Sequence, residues 1–149
     1  MTAFRFTNKN DASRYGRYRI IPDAGVEHLD DTSAKSKDGN YLFEELSQRV
    51  AAGPISFQIL VQVASDGDVV EDATIHWPED RPLVNFGKIV LSTTVPNDLP
   101  EQKKIIFDPI PRVGGIEASA DPLFEPRVNV YLMSGRRRRS ASRSPSAAD

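Results

Sequence analysis

Alternating apolar and polar side chains predict four β-strands in the first two-thirds of the chain. The clearest alternation lies in residues 55–64 (ISFQILVQVA), where every second side chain is apolar and therefore points to the same face. Similar patterns predict strands at residues 4–7, 14–21 and 83–95, the last of them bent at Gly87. The apolar face of residues 55–64 needs a covering partner, because apolar surface left in water is unfavourable.

Apolar residues recur at helical spacing in residues 41–52 (YLFEELSQRVAA), and this pattern predicts a helix. Leu42, Leu46 and Val50 would share one stripe of that helix. Gly53 follows as a terminator, since glycine readily adopts the backbone conformation that ends a helix.

A second helix is predicted near the C-terminus. Asp121 is a good N-cap, and Pro122 fits the first helical position, where its missing N–H is not needed. Pro126 also lacks an N–H and is expected to kink or loosen the first turns. Residues 96–120 form a long Pro- and Gly-rich connection of the kind that often lines a site. The predicted fold class is therefore α+β with a largely antiparallel sheet.

The composition is that of one soluble globular domain. The chain has 149 residues, with 39% hydrophobic and 27% charged content. It contains no cysteine, which excludes disulfides, thiolate metal sites and cysteine nucleophiles. No apolar run approaches the length of a membrane span, and the start MTAFRFTNKND lacks the apolar segment of a signal peptide. These features lead us to expect a cytoplasmic protein with no membrane partner.

Positive charge is concentrated at the C-terminal end of the chain. Residues 136–149 (RRRRSASRSPSAAD) carry a balance of +4, whereas the remaining residues carry −6. Residues 140–149 are predicted to form a disordered Arg/Ser tail, because they lack the large apolar side chains that build a core. Such a tail could bind nucleic acid, or its first arginines could complement the dipole of the preceding helix. The acidic body and the absence of interleaved aromatic residues argue against nucleic acid.

Arg127 and Tyr131 are the candidate chemical residues of the predicted C-terminal helix. A spacing of four residues puts both side chains on one helix face, about a turn apart. A free phenol keeps its proton until about pH 10, and a cation at hydrogen-bond distance favours the phenolate, which can bind ferric iron. Tyrosinate is one of the few protein ligands of haem iron. The spacing alone favours a simpler alternative, in which the helix packs Val128 and Val130 and Arg127 lies in water.

A series of motifs runs through residues 3–139. In order, they are AFRFTN, RYRIIP, YLFEEL, QRVAAGPISFQILVQ, WPED, VNFGKIVL, FDPIP, GGIEASADP and an R-x-x-x-Y pattern that ends in RRRR. This order resembles the C-terminal half of the haem catalases and is most similar to their smaller relatives, the catalase-related peroxidases. The resemblance implies that residues 1–139 form half of an antiparallel catalase-type β-barrel with a C-terminal helix that carries the proximal haem ligand.

The resemblance also implies roles for individual residues of the last motif. Tyr131 would be the fifth, proximal ligand of the iron of haem b, and Arg127 would donate a hydrogen bond to its phenolate. Ser134 stands where catalases often carry threonine, and Arg138 corresponds to an arginine near the haem edge. Pro126 departs from the small residue that usually precedes the arginine.

The groups that act on peroxide in this family, a distal histidine and asparagine, have no counterpart in the chain. The two histidines, His28 and His76, lie outside the distal motif and are expected to be solvated loop residues. Turnover of hydrogen peroxide or organic peroxides needs a general acid–base over the open face of the iron. We therefore expect the chain alone to be inactive.

Half of a barrel would leave two unpaired strand edges and one uncovered apolar face. The resemblance therefore implies self-association or a missing N-terminal half, as in a truncated gene product, a partial gene model or a split protein. Two further hypotheses remain open. The chain could be a non-enzymatic remnant of a catalase-like protein, or a binding module that uses its basic tail.

Overall fold

The structure, a computed structural model, describes residues 1–96 and 99–141. Its elements, in chain order, are β1 (Phe4–Thr7), β2 (Ser13–Pro22), α1 (Asp31–Lys35), α2 (Tyr41–Ala52), β3 (Ile55–Val63), β4 (Leu83–Leu91), α3 (Leu99–Lys104), β5 (Ile116–Ala118) and α4 (Phe124–Ser140). The mixed α+β class with an antiparallel sheet is confirmed. Within the described residues, no helix combines the length and the apolar character needed to cross a membrane.

The chain divides into two compact units. The first unit combines Met1–Tyr15, Asp66–Trp77 and Asn97–Asp149, and the second combines Gly16–Ser65 with Pro78–Pro96. Strand β2 begins in the first unit and continues into the second. The candidate residues of the C-terminal helix all belong to the first unit.

The second unit is built on three antiparallel strands, with β3 between β2 and β4. The register pairs Ile59 with Gly87 but the next residue, Leu60, with Asn85, so that one residue of β4 is left over. This irregularity is a β-bulge, and Gly87 permits it with a φ of +148°. The bend predicted at Gly87 is therefore present in the strand.

The core of the second unit is small. Val61 of β3 and Val50 of α2 are buried, whereas Leu42 and Leu46 on the same predicted stripe of α2 are exposed. The pattern predicted the helix with its observed bounds, but only its C-terminal end is covered. The apolar pattern thus indicated which face could be buried, and the packing left most of that face in contact with solvent.

In the first unit, β1 lies between the beginning of β2 and β5. The antiparallel register with β5 pairs Phe4 with Ala118 and Phe6 with Ile116. At its end, the backbone N–H of Thr7 donates a 2.8 Å hydrogen bond to the carbonyl of Gly115. Strand β5 was not predicted, because three residues are too few for an alternation to be recognised.

Aromatic residues form the core of the first unit. Phe124, which is 4% exposed, meets the ring of Phe4 edge to face at a centroid distance of 5.4 Å. Trp77 is 5% exposed, and its indole N–H donates to the carbonyl of Val69 at 2.8 Å. The ring contact fixes the beginning of α4 on β1, and α4 carries the candidate site.

Helix α4 begins at Phe124, three residues after the predicted N-cap. The Asp121 carboxylate instead accepts the N–H of Leu123 at 2.9 Å and stabilises the turn before the helix. Pro126 is consequently the third residue of α4, where the backbone N–H would have no partner within the helix. At this position the missing N–H of Pro126 removes no hydrogen bond of the helix, so the main reason for the predicted kink is absent.

Helix α4 runs one residue past position 139, so the first residue of the predicted tail is helical, and the domain boundary itself stays a prediction. Helix α4 includes Ser140, and Ala141 follows it. Residues 142–149, which make up most of the tail predicted to be disordered, lie outside the described residues.

Candidate functional site

Arg127 and Tyr131 contact each other on one face of α4. The Nη2 atom of Arg127 donates a hydrogen bond to the phenol oxygen of Tyr131 at 3.2 Å. The guanidinium carbon lies 5.6 Å from the centre of the Tyr131 ring. Both side chains are half-buried, whereas Val130 is exposed. Of the two arrangements that the spacing allowed, the structure has the one in which the arginine bonds to the phenol oxygen.

This contact determines which further partners the oxygen of Tyr131 can accept. A guanidinium keeps its charge at all ordinary pH values and can only donate hydrogen bonds. Its hydrogen bonds are strongest when the acceptor oxygen is ionised. The phenol oxygen of Tyr131 accepts one hydrogen bond from Arg127 and retains acceptor capacity for a second partner.

Ser134 and Arg138 form a second pair on the same side of α4. One guanidinium nitrogen of Arg138 donates to the Ser134 hydroxyl at 3.1 Å, and the other donates to the carbonyl of Ile105 at 2.6 Å. The guanidinium also lies over the ring of Phe107, 5.6 Å from its centre. The structure thus brings Arg138 to the segment that follows α3, and the role at a haem edge stays a prediction.

Gly135 contributes to this face although the sequence did not single it out. It is buried one turn after Tyr131, and a Cβ atom placed on it would lie 3.1 Å from Cγ1 of Ile106. The only sequence signal is a small residue four positions after the candidate tyrosine. The contacting residues after α3 gave no signal, because they lie in an irregular segment without periodicity.

Side chains that commonly bind metal ions are not clustered in the described residues. Both His28 and His76 are exposed, as expected from their positions in polar segments. Across residues 1–96 and 99–141, no group of three or more histidine, cysteine or carboxylate side chains could hold a metal ion. Tyr131 stays the candidate iron ligand predicted from the sequence.

The sequence model of the catalase family matches residues 1–144, nearly the whole chain. The chain belongs to the catalase family. This result confirms the resemblance identified from the order of the motifs. The match includes α4 and therefore all the residues of the candidate site.

Curated relatives support this membership and show that it is partial. A catalase-related peroxidase of Synechococcus elongatus is 30% identical over 132 residues, which are 89% of this chain and 39% of that protein. A catalase-related peroxidase of Mycolicibacterium paratuberculosis is 32% identical over 97% of this chain and 46% of its own length. The chain thus spans less than half the length of these relatives.

Solved catalase structures share the fold. A fungal catalase superposes with a TM-score of 0.81 at 26% identity, over 92% of this chain and 30% of its own chain. Catalase A from Saccharomyces cerevisiae superposes with a TM-score of 0.79 at 27% identity, with the same coverage of both chains. The antiparallel sheet and the C-terminal helix are therefore those of a catalase.

Proposed function

We propose that this chain supplies the proximal side of a haem site in a protein that acts on hydrogen peroxide or organic peroxides. Tyr131 would bind the iron of haem b, and Arg127 would hold the phenolate. The observation that carries the proposal is the hydrogen bond from Arg127 to Tyr131 in a chain of the catalase family. Tyrosine is the protein ligand that catalases use for haem iron.

The residues present fit such a group. Arg127 donates to the phenol oxygen along the helix, so that the oxygen keeps a lone pair for iron. The contact over the ring also limits how far the Tyr131 side chain can rotate. Haem, when bound, supplies the oxidation and reduction chemistry of its iron. The contribution of this chain is to bind the iron, to orient the ligand and to stabilise its negative charge.

The chain lacks the distal histidine motif with which the family moves the protons of a peroxide, since its two histidines are His28 and His76. Both histidines are exposed and lie far along the chain from α4. We therefore propose that the chain alone turns over little or no peroxide and that the acid–base groups come from another polypeptide segment. Large exposed apolar residues, including Phe43 (73% exposed) and Phe86 (50% exposed), support association with such a segment or with a second copy.

Titration with hemin tests the proposed ligand. We expect an absorption band of tyrosinate-ligated ferric haem, and we expect Tyr131→Phe to remove it. Tyr41→Phe is the matched control, because Tyr41 also lies on a helix with a cation, Lys37, over its ring at 5.9 Å. Arg127→Leu should weaken hemin binding by about 10- to 100-fold, which is typical for loss of a group that supports a metal ligand.

Two results would overturn the proposal. One is the absence of any spectral change when hemin is added to the chain. The other is an identical spectrum for the Tyr131→Phe variant and the wild type, which would mean that hemin binds elsewhere. Peroxide consumption by the hemin-loaded chain at a rate above that of free hemin would contradict the second part, the proposed inactivity of the chain alone.

A further inference from the structure

The four consecutive arginines at the end of α4 do not share one environment. Successive residues of a helix point about 100° apart, so a run of four covers most of its circumference. Arg138 and Arg139 are directed at backbone carbonyl groups of residues 103–105. Arg139 is exposed, as are Arg136 and Arg137, so its hydrogen bonds and not its burial set it apart. A basic run that looks uniform in the sequence therefore includes two residues that bind a distant segment of the chain.

We propose that Arg138, Arg139 and Lys103 form a clamp that fixes the end of α4 against residues 103–107 and so positions Tyr131. The two arginines are then positioning residues, which act through the backbone that they hold. Only the positioning of Tyr131 as an iron ligand rests on the proposed function. The clamp itself rests on contacts within the first unit.

The clamp joins the C-terminal ends of two helices. Arg139 donates to the carbonyls of Lys103 and Lys104 at 3.3 and 3.2 Å, which are among the last carbonyls of α3. In return, the Lys103 ammonium donates to the carbonyl of Ala141, just beyond α4, at 2.7 Å. The last carbonyls of a helix have no partner within the helix and carry the negative end of its dipole. Each helix thus receives its terminal cation from the other.

Two closer contacts bring the clamped segment next to the candidate site. The side chain of Ile106 lies against Gly135, where a Cβ atom would be only 3.1 Å from Cγ1. Gly135 follows Tyr131 by four residues and therefore lies on the same face of α4, one turn along. Arg138 adds its hydrogen bond to Ile105 at 2.6 Å. A shift of residues 103–107 would therefore change the packing of α4 at Gly135, one helical turn from Tyr131.

The rest of α4 offers little that could replace the clamp. Its N-terminal end is held by Phe124 against Phe4. Between the two ends, Val130 and Met133 are about half exposed and Leu132 is 38% exposed, so none of the three is fully buried. A helix held mainly at its ends keeps its position only while both attachments are intact. Tyr131 lies near the middle of α4, so its position depends on the clamp as well as on the aromatic contact.

Hydrogen exchange of the full chain without hemin tests the clamp. Arg139→Ala should speed exchange in the peptide that covers residues 103–107 by about tenfold, as expected when hydrogen bonds from a charged group are lost. Arg137→Ala is the matched control, because it removes the same charge from the same helical turn and leaves these contacts in place. Equal changes in the two variants would overturn the clamp, since the effect would then be one of net charge.

Hemin titration of the same variants tests the positioning role. Arg139→Ala should weaken hemin binding by about 2- to 30-fold, the range found for residues that act through a packed neighbour. Arg139→Lys, which keeps the charge, should recover part of the loss. If Arg139→Ala speeds hydrogen exchange but binds hemin as tightly as Arg137→Ala does, the positioning role is wrong. If the wild type binds no hemin, the proposed function fails, and the exchange result still decides the clamp.

Discussion

Replacing Gly115 by alanine tests how β5 is held on β1. Gly115 has a φ of +81°, and a Cβ atom placed on it would lie 2.8 Å from the carbonyl oxygen of Thr7. A residue with a Cβ loses about 1–2 kcal/mol in this left-handed conformation. The displaced Thr7 carbonyl would also disturb the adjacent hydrogen bond from the Thr7 N–H to Gly115, worth about 1 kcal/mol. We expect the free energy of unfolding to fall by about 2–3 kcal/mol.

Urea unfolding followed by tryptophan fluorescence measures this loss. Trp77 is the one tryptophan of the chain, it is buried, and it belongs to the same compact unit as Gly115. With a urea dependence of about 1–3 kcal/mol per molar, the midpoint should fall by about 0.7–3 M. An unchanged slope would show that the native and unfolded states are otherwise comparable.

Substitutions at two other glycines separate the backbone strain of Gly115→Ala from its steric contact with Thr7. Gly67 has nearly the same φ, +86°, but nothing lies within 4 Å of its Cβ position, so Gly67→Ala measures the backbone strain alone. Gly114 has neither a positive φ nor a close neighbour, so Gly114→Ala should be nearly neutral. The reasoning is refuted if Gly115→Ala costs no more than Gly67→Ala, because the contact with Thr7 would then have no energetic effect.

Two further substitutions test the packing of α4 and the surface charge of the second unit. Phe124→Ala should lower the free energy of unfolding by about 3–5 kcal/mol, because it removes a buried ring. Glu125→Ala is the control and should be nearly neutral when both variants are measured by calorimetry. Equal losses of stability in the two variants would contradict the packing argument. Asp23 accepts hydrogen bonds from Lys88 and from two β3 side chains, which lower the pKa of its carboxyl from 3.8 to about 2. Its contribution is complete at neutral pH and is lost as the pH falls from about 4 towards 2. Asp23→Asn should therefore be less stable than the wild type at pH 7, and the difference should shrink as the pH falls towards 2. A difference independent of pH, measured by thermal unfolding, would exclude ionisation as the cause.

Local patterns predicted the longer elements because side-chain periodicity depends only on the chain itself. The bounds of β1 and α2 agree with the prediction, and β3 ends one residue earlier than expected. The 96–120 connection was predicted as irregular, although it contains α3 and β5. Both are too short for a periodic pattern, and β5 exists because β1 offers it a hydrogen-bonding edge.

For the candidate site too, local contacts could be predicted from the sequence and contacts with distant segments could not. A spacing of four residues brought Arg127 to Tyr131, because on a helix that spacing is a local property. The backbone partners of Arg138 and Arg139 could not be predicted, since residues 103–105 lie more than 30 positions earlier in the chain. Only the folded chain brings these carbonyls to the end of α4.

By itself, the sequence determined the family, the fold class and the Arg127–Tyr131 pair, because motif order, apolar periodicity and helical spacing can all be read along the chain. The tertiary structure decided where α4 begins, what its last arginines hold and why Gly115 and Gly135 are glycines. The arginine contacts and the two glycines depend on a close approach between segments that are distant in sequence. Hydrogen bonds and van der Waals contacts act over a few ångströms of space, so such approaches leave no periodic signal in the chain.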